Sequence, residues 1–264
     1  MSVAPQSSLR QSSISLSLEL PAVADKSGVG LPAESVVRTI ERLQAVSART
    51  QVPVTWVWSG TPPTSFNEIS ALRSIVKGDL GWSAPPAAKS RVEYRAMFLG
   101  WLKQWSQAAL SSGKSLRMLV NSGVKISTPY DAVAEAGVTI LRDAHVLKRN
   151  DTLVAPQPLT NGMWQLPNAA GVQLTTGWIG STRAAWALQS LLKQVERAPR
   201  ANIHIRIDAH SQQELGQSAI ANWERILGIV AQCRANGVNV ALAADTTVAH
   251  PRMQRGGKSI LRAA

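Results

Sequence analysis

A chain of 264 residues, 45% hydrophobic and 17% charged, is long and apolar enough to bury a substantial core, which excludes a disordered polymer. Its net charge of +12 keeps nucleic acid, an acidic polymer or an anionic membrane surface open as partners. No apolar run approaches the roughly 20 residues that span a bilayer, and one cysteine, Cys233, excludes an intrachain disulfide and a multi-cysteine metal site. The polar stretch from Met1 to Ser13 lacks the apolar core of a signal peptide, so a cytoplasmic location is expected. The charge is spread along the chain. Arg252, Arg255, Lys258 and Arg262 near the end supply four units, and residues such as Arg38 and Arg42 stand beside Glu41. A solvated basic surface accounts for this pattern, and nucleic-acid binding is the less favoured reading.

Taken in order, the chain alternates strand-like and helix-like patterns. Ser13–Leu20 places Ile14, Leu16, Leu18 and Leu20 on one face, the period of a strand. Pro32 opens a helix with Val36, Val37, Ile40, Leu43 and Val46 at helical spacing. Val52–Trp58 reads as a second strand, stopped by Ser-Gly-Thr-Pro-Pro, and a helix follows over Phe66–Val76. Gly78–Pro86 reads as a connection containing the short apolar step Leu80-Gly81-Trp82. A long helix runs from Lys89 or Ser90 to about Leu110, with Met97, Phe98, Trp101, Leu102 and Trp105 recurring along it. Leu116–Val120 and Val138–Leu141 are short buried strands flanking a helix over Tyr130–Glu135. His145–Gly180 is irregular around one strand, Met163–Leu166, and its length makes it a candidate site loop. Helix 181–195, strand Ile203–Ile207, helix Gln217–Ala235 and strand Val238–Leu242 complete the chain. Repeated strand–helix units predict an α/β fold with a parallel sheet and covering helices, open or closed into a barrel. One domain is expected over residues 13–247, with a flexible N-terminus at 1–12 and a basic tail at 248–264.

The sequence has no Walker loop, no GxGxxG turn, no GxSxG elbow and no HExxH helix. In parallel α/β folds the C-terminal strand ends carry the chemistry, and Asp208 and His210 fall at such an end, where a carboxylate can orient an imidazole. A helix N-cap and a surface histidine are the plainer alternative. Nine tryptophans stand against two tyrosines and two phenylalanines. Trp101, Trp105, Trp186 and Trp223 fit helix cores, whereas Trp58, Trp82 and Trp164 lie at strand ends or in loops. Indoles there stack on sugar rings or bases, or simply pack.

Read together, SISLSLELPA at 13–22, VPVTWVWSG at 52–60, KGDLGWS at 77–83, Ser90-Arg91 with the helix that follows, AGVTILR at 136–142, GMWQLP at 162–167, Ile203–His210 and QCRANGVNVALAADT at 232–246 resemble, in order, the NodB-homology polysaccharide deacetylases. The resemblance implies a distorted TIM-type (β/α) barrel of about seven parallel strands. It also implies a divalent metal on one Asp and two His, with a neighbouring Asp as base on the metal-bound water. Here the Asp-Asp position reads Glu19-Leu20, and Trp82 and Pro86 stand where the two histidines belong. No metal and no cofactor are therefore expected. Glu19, Asp208 and His210 remain as candidate catalytic residues, and Arg142, Trp58, Trp82 and Trp164 as candidate ligand-binding residues. Arg142 matches the family's strand-end arginine, and its expected partner is Glu19 or Asp208. The expected function is a deacetylase-like protein without the metal site that binds a carbohydrate or other small polar ligand. The alternatives are a hydrolase of N-acetyl groups with a rebuilt site, and a basic protein that binds nucleic acid or an acidic polymer.

Overall fold

The computed structural model describes residues 12–23, 31–85, 90–121, 129–146, 156–168, 170–174, 178–197, 202–209 and 215–248. Strand β1 (Ser13–Glu19) carries the alternation read from its sequence: Ile14, Leu16 and Leu18 enter the main apolar cluster, and the serines and Glu19 lie on the opposite face. Helix α1 (Ala33–Thr50) starts behind Pro32 and buries Val36, Ile40, Leu43 and Val46. Strand β2 (Val54–Trp58) leads to α2 (Phe66–Ser74), which opens with a complete capping box, Ser65 and Glu68 each bonding the other's backbone N–H. This helix stops at Ser74, two residues short of the expected end, because Ile75 turns to extended backbone and drops into the core.

Gly78–Ser83, expected as a connection, is strand β3, paired with both neighbours. Its glycines are sterically required. A Cβ on Gly78 would lie 2.8 Å from Val54 O, and one on Gly81 would lie 2.9 Å from Val57 Cγ2. Helix α3 (Arg91–Ser112) is capped by Ser90 and ended by Gly113 in the left-handed conformation, and it buries Phe98, Leu102, Trp105 and Ala109 along one stripe. Then follow β4 (Leu116–Asn121), α4 (Tyr130–Glu135) and β5 (Ile140–Val146). The segment expected as irregular holds three strands, β6 (Gln157–Pro158), β7 (Trp164–Asn168) and β8 (Ala170–Gln173). Two of them are too short or too polar to show an apolar period. The chain ends with α5 (Trp178–Arg197), β9 (Asn202–Asp208), α6 (Gln217–Ala235), β10 (Asn239–Val240) and α7 (Ala243–Val248).

These strands form one sheet in the order β6-β7-β5-β4-β3-β2-β1-β9-β8, with β10 beside the start of β1. Every pairing is parallel except β6 with β7, so the α/β reading holds, and among the described residues the sheet has ten strands, several of them very short. The sheet curls until β7 packs against β9, although among the described residues no ladder of hydrogen bonds joins those two strands. One face meets the helices. The other lines the interior, where Val57, Met118, Val120, Ile140 and Leu166 cluster with Ala243 of α7. Among the described residues no helix is long and apolar enough to cross a membrane.

Candidate functional site

Strands β1 and β9 pair along their whole length, from Ser13 opposite Asn202 to Glu19 opposite Asp208. Because side chains alternate across a strand, this register sets Ser15, Ser17 and Glu19 beside His204, Arg206 and Asp208 on the interior face. Ile203, Ile205 and Ile207 go to the helix side. The pairing continues the Glu19 row through Val57, Gly81, Met118 and Ile140 to Trp164.

Within this face the charged groups compensate one another. Arg142, on β5 and wholly buried, donates from Nη2 to Oε1 of Glu19 and from Nη1 to the Ser17 hydroxyl at 2.8 Å. Arg206 donates from Nε to Oε2 of Glu19 at 2.8 Å, and its Nη2 lies 2.5 Å from the same oxygen and 3.2 Å from Oδ2 of Asp208. Both oxygens of Glu19 are thus engaged by guanidiniums in charge-assisted hydrogen bonds, the stronger class in proteins. Exposure grades across the cluster. The side chains of Arg142 and Glu19 are 0% and 7% exposed, those of Arg206 and Asp208 24% and 18%. The outer pair therefore faces the solvent side.

A second chain of bonds supports the first. His204 sits between two serines, Nδ1 2.9 Å from Ser15 Oγ and Nε2 2.9 Å from Ser17 Oγ. Ser17 already accepts from Arg142, so its own proton goes to Nε2 of His204, and Nδ1–H donates to Ser15. Burial, with Arg142 nearby, holds His204 well below the ordinary histidine range, so the ring is neutral. Neither His204 nor Arg206 was singled out from the sequence. The readable signal was there: Ile203, Ile205 and Ile207 alternate with His204, Arg206 and Asp208, a strand apolar on one side and polar on the other.

The sequence candidates separate accordingly. Glu19, Arg142 and Asp208 come together, joined by Arg206. Trp58 and Trp82 do not join them. Both are buried on the helix side: Trp58 meets Trp105 edge-on at 5.9 Å and donates to Thr61 O at 3.1 Å, and Trp82 packs against Phe98 at 5.1 Å. Neither indole has an open face to offer a ring. Both share the strand phase of Trp56 and Leu80, which points them at α3. Trp164 is on the interior side, partly buried against the inner apolar cluster. His210 and Pro86 lie outside the described residues.

The donors present do not fit the divalent metal that the resemblance implies. Glu19 has no free oxygen, Trp82 has no ligand atom, and the interior imidazole of His204 has both nitrogens bonded to serines. Among the described residues no group of three or more His, Cys, Asp or Glu converges. A surface groove of about 560 Å³ lies elsewhere, between α5 and α6 over Leu192, Ile229 and Cys233. Its lining carries Lys193, Glu196 and Arg225, and burial, with Glu196 beside it, pushes the Cys233 thiol up to about 11, which makes it a poor nucleophile.

No protein-family model and no curated protein matches the chain. Solved structures do. It superposes on a protein assigned as a polysaccharide deacetylase from Mycobacterium smegmatis, at TM-score 0.58 and 11% identity over 94% of this chain and 91% of the other. It is also similar to Puue allantoinase, at TM-score 0.60 and 10% identity over 94% of both chains. A third likeness is to 4-alpha-glucanotransferase from Thermococcus litoralis, at TM-score 0.55 and 10% identity over 90% of this chain but only 40% of that one. At such identities the likeness is one of fold, an α/β fold built on a curled, mostly parallel sheet.

Proposed function

We propose that this protein is a metal-free relative of the polysaccharide deacetylases that binds a carbohydrate or another polar ligand where Arg206 and Asp208 face solvent. The observation that carries this reading is the state of Glu19. The carboxylate standing at the family's Asp-Asp position has both oxygens engaged by Arg142 and Arg206, and a metal would have to displace those cations to bind it. A part-exposed guanidinium beside a part-exposed carboxylate is a donor–acceptor pair suited to vicinal hydroxyls. Two of the three structural neighbours bear names of enzymes acting on saccharide polymers, which favours a sugar over other polar ligands.

Calorimetric titration with chitin and cellulose oligomers tests this. Binding should be lost or weakened roughly 10- to 100-fold in Arg206→Ala and in Asp208→Asn, the range of one or two charged hydrogen bonds. Turnover of an N-acetylated oligomer, or near-stoichiometric zinc, nickel or cobalt after dialysis, would favour the rebuilt hydrolase instead. Binding confined to polyanions and steeply weakened by salt would favour the nucleic-acid reading.

A further inference from the structure

One layer closer to the N-terminal ends of the strands, the interior holds a carboxyl group that no guanidinium pairs. The row of Ser17 runs through Thr55 on β2 to Asp79 on β3. Asp79 is 5% exposed, and neither of its carboxylate oxygens has a hydrogen-bonding partner among the described residues. The Thr55 hydroxyl beside it is also buried and exerts a hydrogen-bond pull on the Asp79 carboxyl, although the two groups do not reach full bonding geometry. Two charged side chains are within reach, Asp245 on α7, which repels, and Arg117 on β4, which attracts. Burial outweighs everything else and, with Asp245, pushes the Asp79 carboxyl up from 3.8 to about 7, against the weaker pull of Thr55 and Arg117.

Helix α7 packs against β1 and β4 on this side. It has six residues and touches the inner apolar cluster through two alanines, Ala243 and Ala244. Asn202 on β9 reaches it with a long bond, 3.4 Å from Nδ2 to Thr246 O. An element with so little apolar area holding it belongs to the low-stability end of a fold.

We propose that Asp79 is a proton-binding site at the floor of the barrel and that its ionisation releases α7. While the carboxyl is neutral it tolerates burial. When it gives its proton to bulk water, a buried anion is left without a fully formed hydrogen bond and with Asp245 nearby, and it must reach solvent. Opening α7 exposes two alanines, whereas opening the sheet exposes the whole core, so α7 yields first. A carboxyl that binds its proton more tightly in the closed form makes opening easier as pH rises. The opening equilibrium increases about tenfold per pH unit between the open and closed values and levels off above 7.

Amide hydrogen exchange on the full chain from pH 5 to 8, corrected for intrinsic rates and referenced to α1, tests this directly. In the wild type, exchange at 243–248 should rise about tenfold per unit and flatten above pH 7. In Asp79→Asn it should not vary with pH. Asp245 is exposed, so Asp245→Asn tests the idea without disturbing the core: losing its repulsion should move the midpoint to lower pH. Protection of α7 that is flat with pH in the wild type, the same slope in Asp79→Asn, or an unmoved midpoint in Asp245→Asn would each overturn the proposal. So would restoration of α7 protection at pH 8 by millimolar magnesium or calcium, which would make the site one for a cation.

Discussion

Around Glu19 two acids meet two guanidiniums at bonding distance; one layer below, Asp79 is as deeply buried, and among the described residues neither of its oxygens has a hydrogen-bonding partner. The two layers share strands and face, so solvent access does not explain the difference. What differs is whether an arginine reaches in from a neighbouring strand. Paired carboxylates stay ionised in an interior, whereas an unpaired one is held there as the acid. The upper layer accordingly fixes a shape, and the lower layer reports on pH.

The sharpest way to break the contrast is to unpair the upper layer. Arg142→Ala should cost about 3–5 kcal/mol in a urea titration, the range for an uncompensated buried charge. The double change Glu19→Gln with Arg142→Met should recover much of that loss. A cost near zero for Arg142→Ala would mean that Glu19 reaches water without its partner.

The next effect comes from Asp79. Its proton is bound more tightly in the folded chain than in the unfolded one, so its contribution to stability is present at low pH and is lost as pH rises from 3.8 to about 7. The difference in stability between Asp79→Asn and wild type should therefore widen in favour of the variant by about 1.4 kcal/mol per pH unit across that window. Parallel curves for the two proteins would sink this reading.

His204 works in the opposite sense. Its folded value is depressed, so it contributes fully above the unfolded value of 6.5 and loses that contribution as pH falls below it. Just below 6.5 the two groups act in opposite senses and partly offset each other. Asp79→Asn should uncover an acid-side decline of up to about 1.4 kcal/mol per unit, and the further change His204→Gln should flatten it. The smallest effect is expected at the surface. The exposed Arg49–Glu224 pair, 3.0 Å apart, should change stability by less than about 0.5 kcal/mol in Arg49→Ala.

Much of the frame was legible because its signals are periodic. The alternation in Ile14–Leu20 and the stripe Phe98–Leu102–Trp105 state which face is buried before any partner is known. Strand β3 was hidden for a physical reason: its close approach to Val54 and Val57 demands glycines, and glycines erase the apolar period by which a strand is read. Of the site, Glu19, Arg142 and Asp208 were legible as strand-end polar residues. Trp58 and Trp82 show that a strand-end position is not enough, since phase along the strand decides which side a residue serves. Arg206 was missed for the same reason, because it lies two residues before the strand end yet on the same face as Asp208. The orphaned state of Asp79 cannot be read from sequence at all, since it depends on which residues fail to reach it.

The two-residue strand β10 has a consequence of its own. It meets β1 only at Ser13 and Ile14, held by Asn239 N to Ser12 O at 3.0 Å and Ala241 N to Ile14 O at 3.1 Å. Strand β2 takes the same side of β1 only from Ser17 onward. Asn239 and Val240 therefore act as a stopper on an open row of amides and carbonyls set among the most apolar residues of the chain. A chain cut before Asn239 would keep nearly all of its core yet present that bare row to other molecules, which is the geometry that seeds strand-to-strand aggregation.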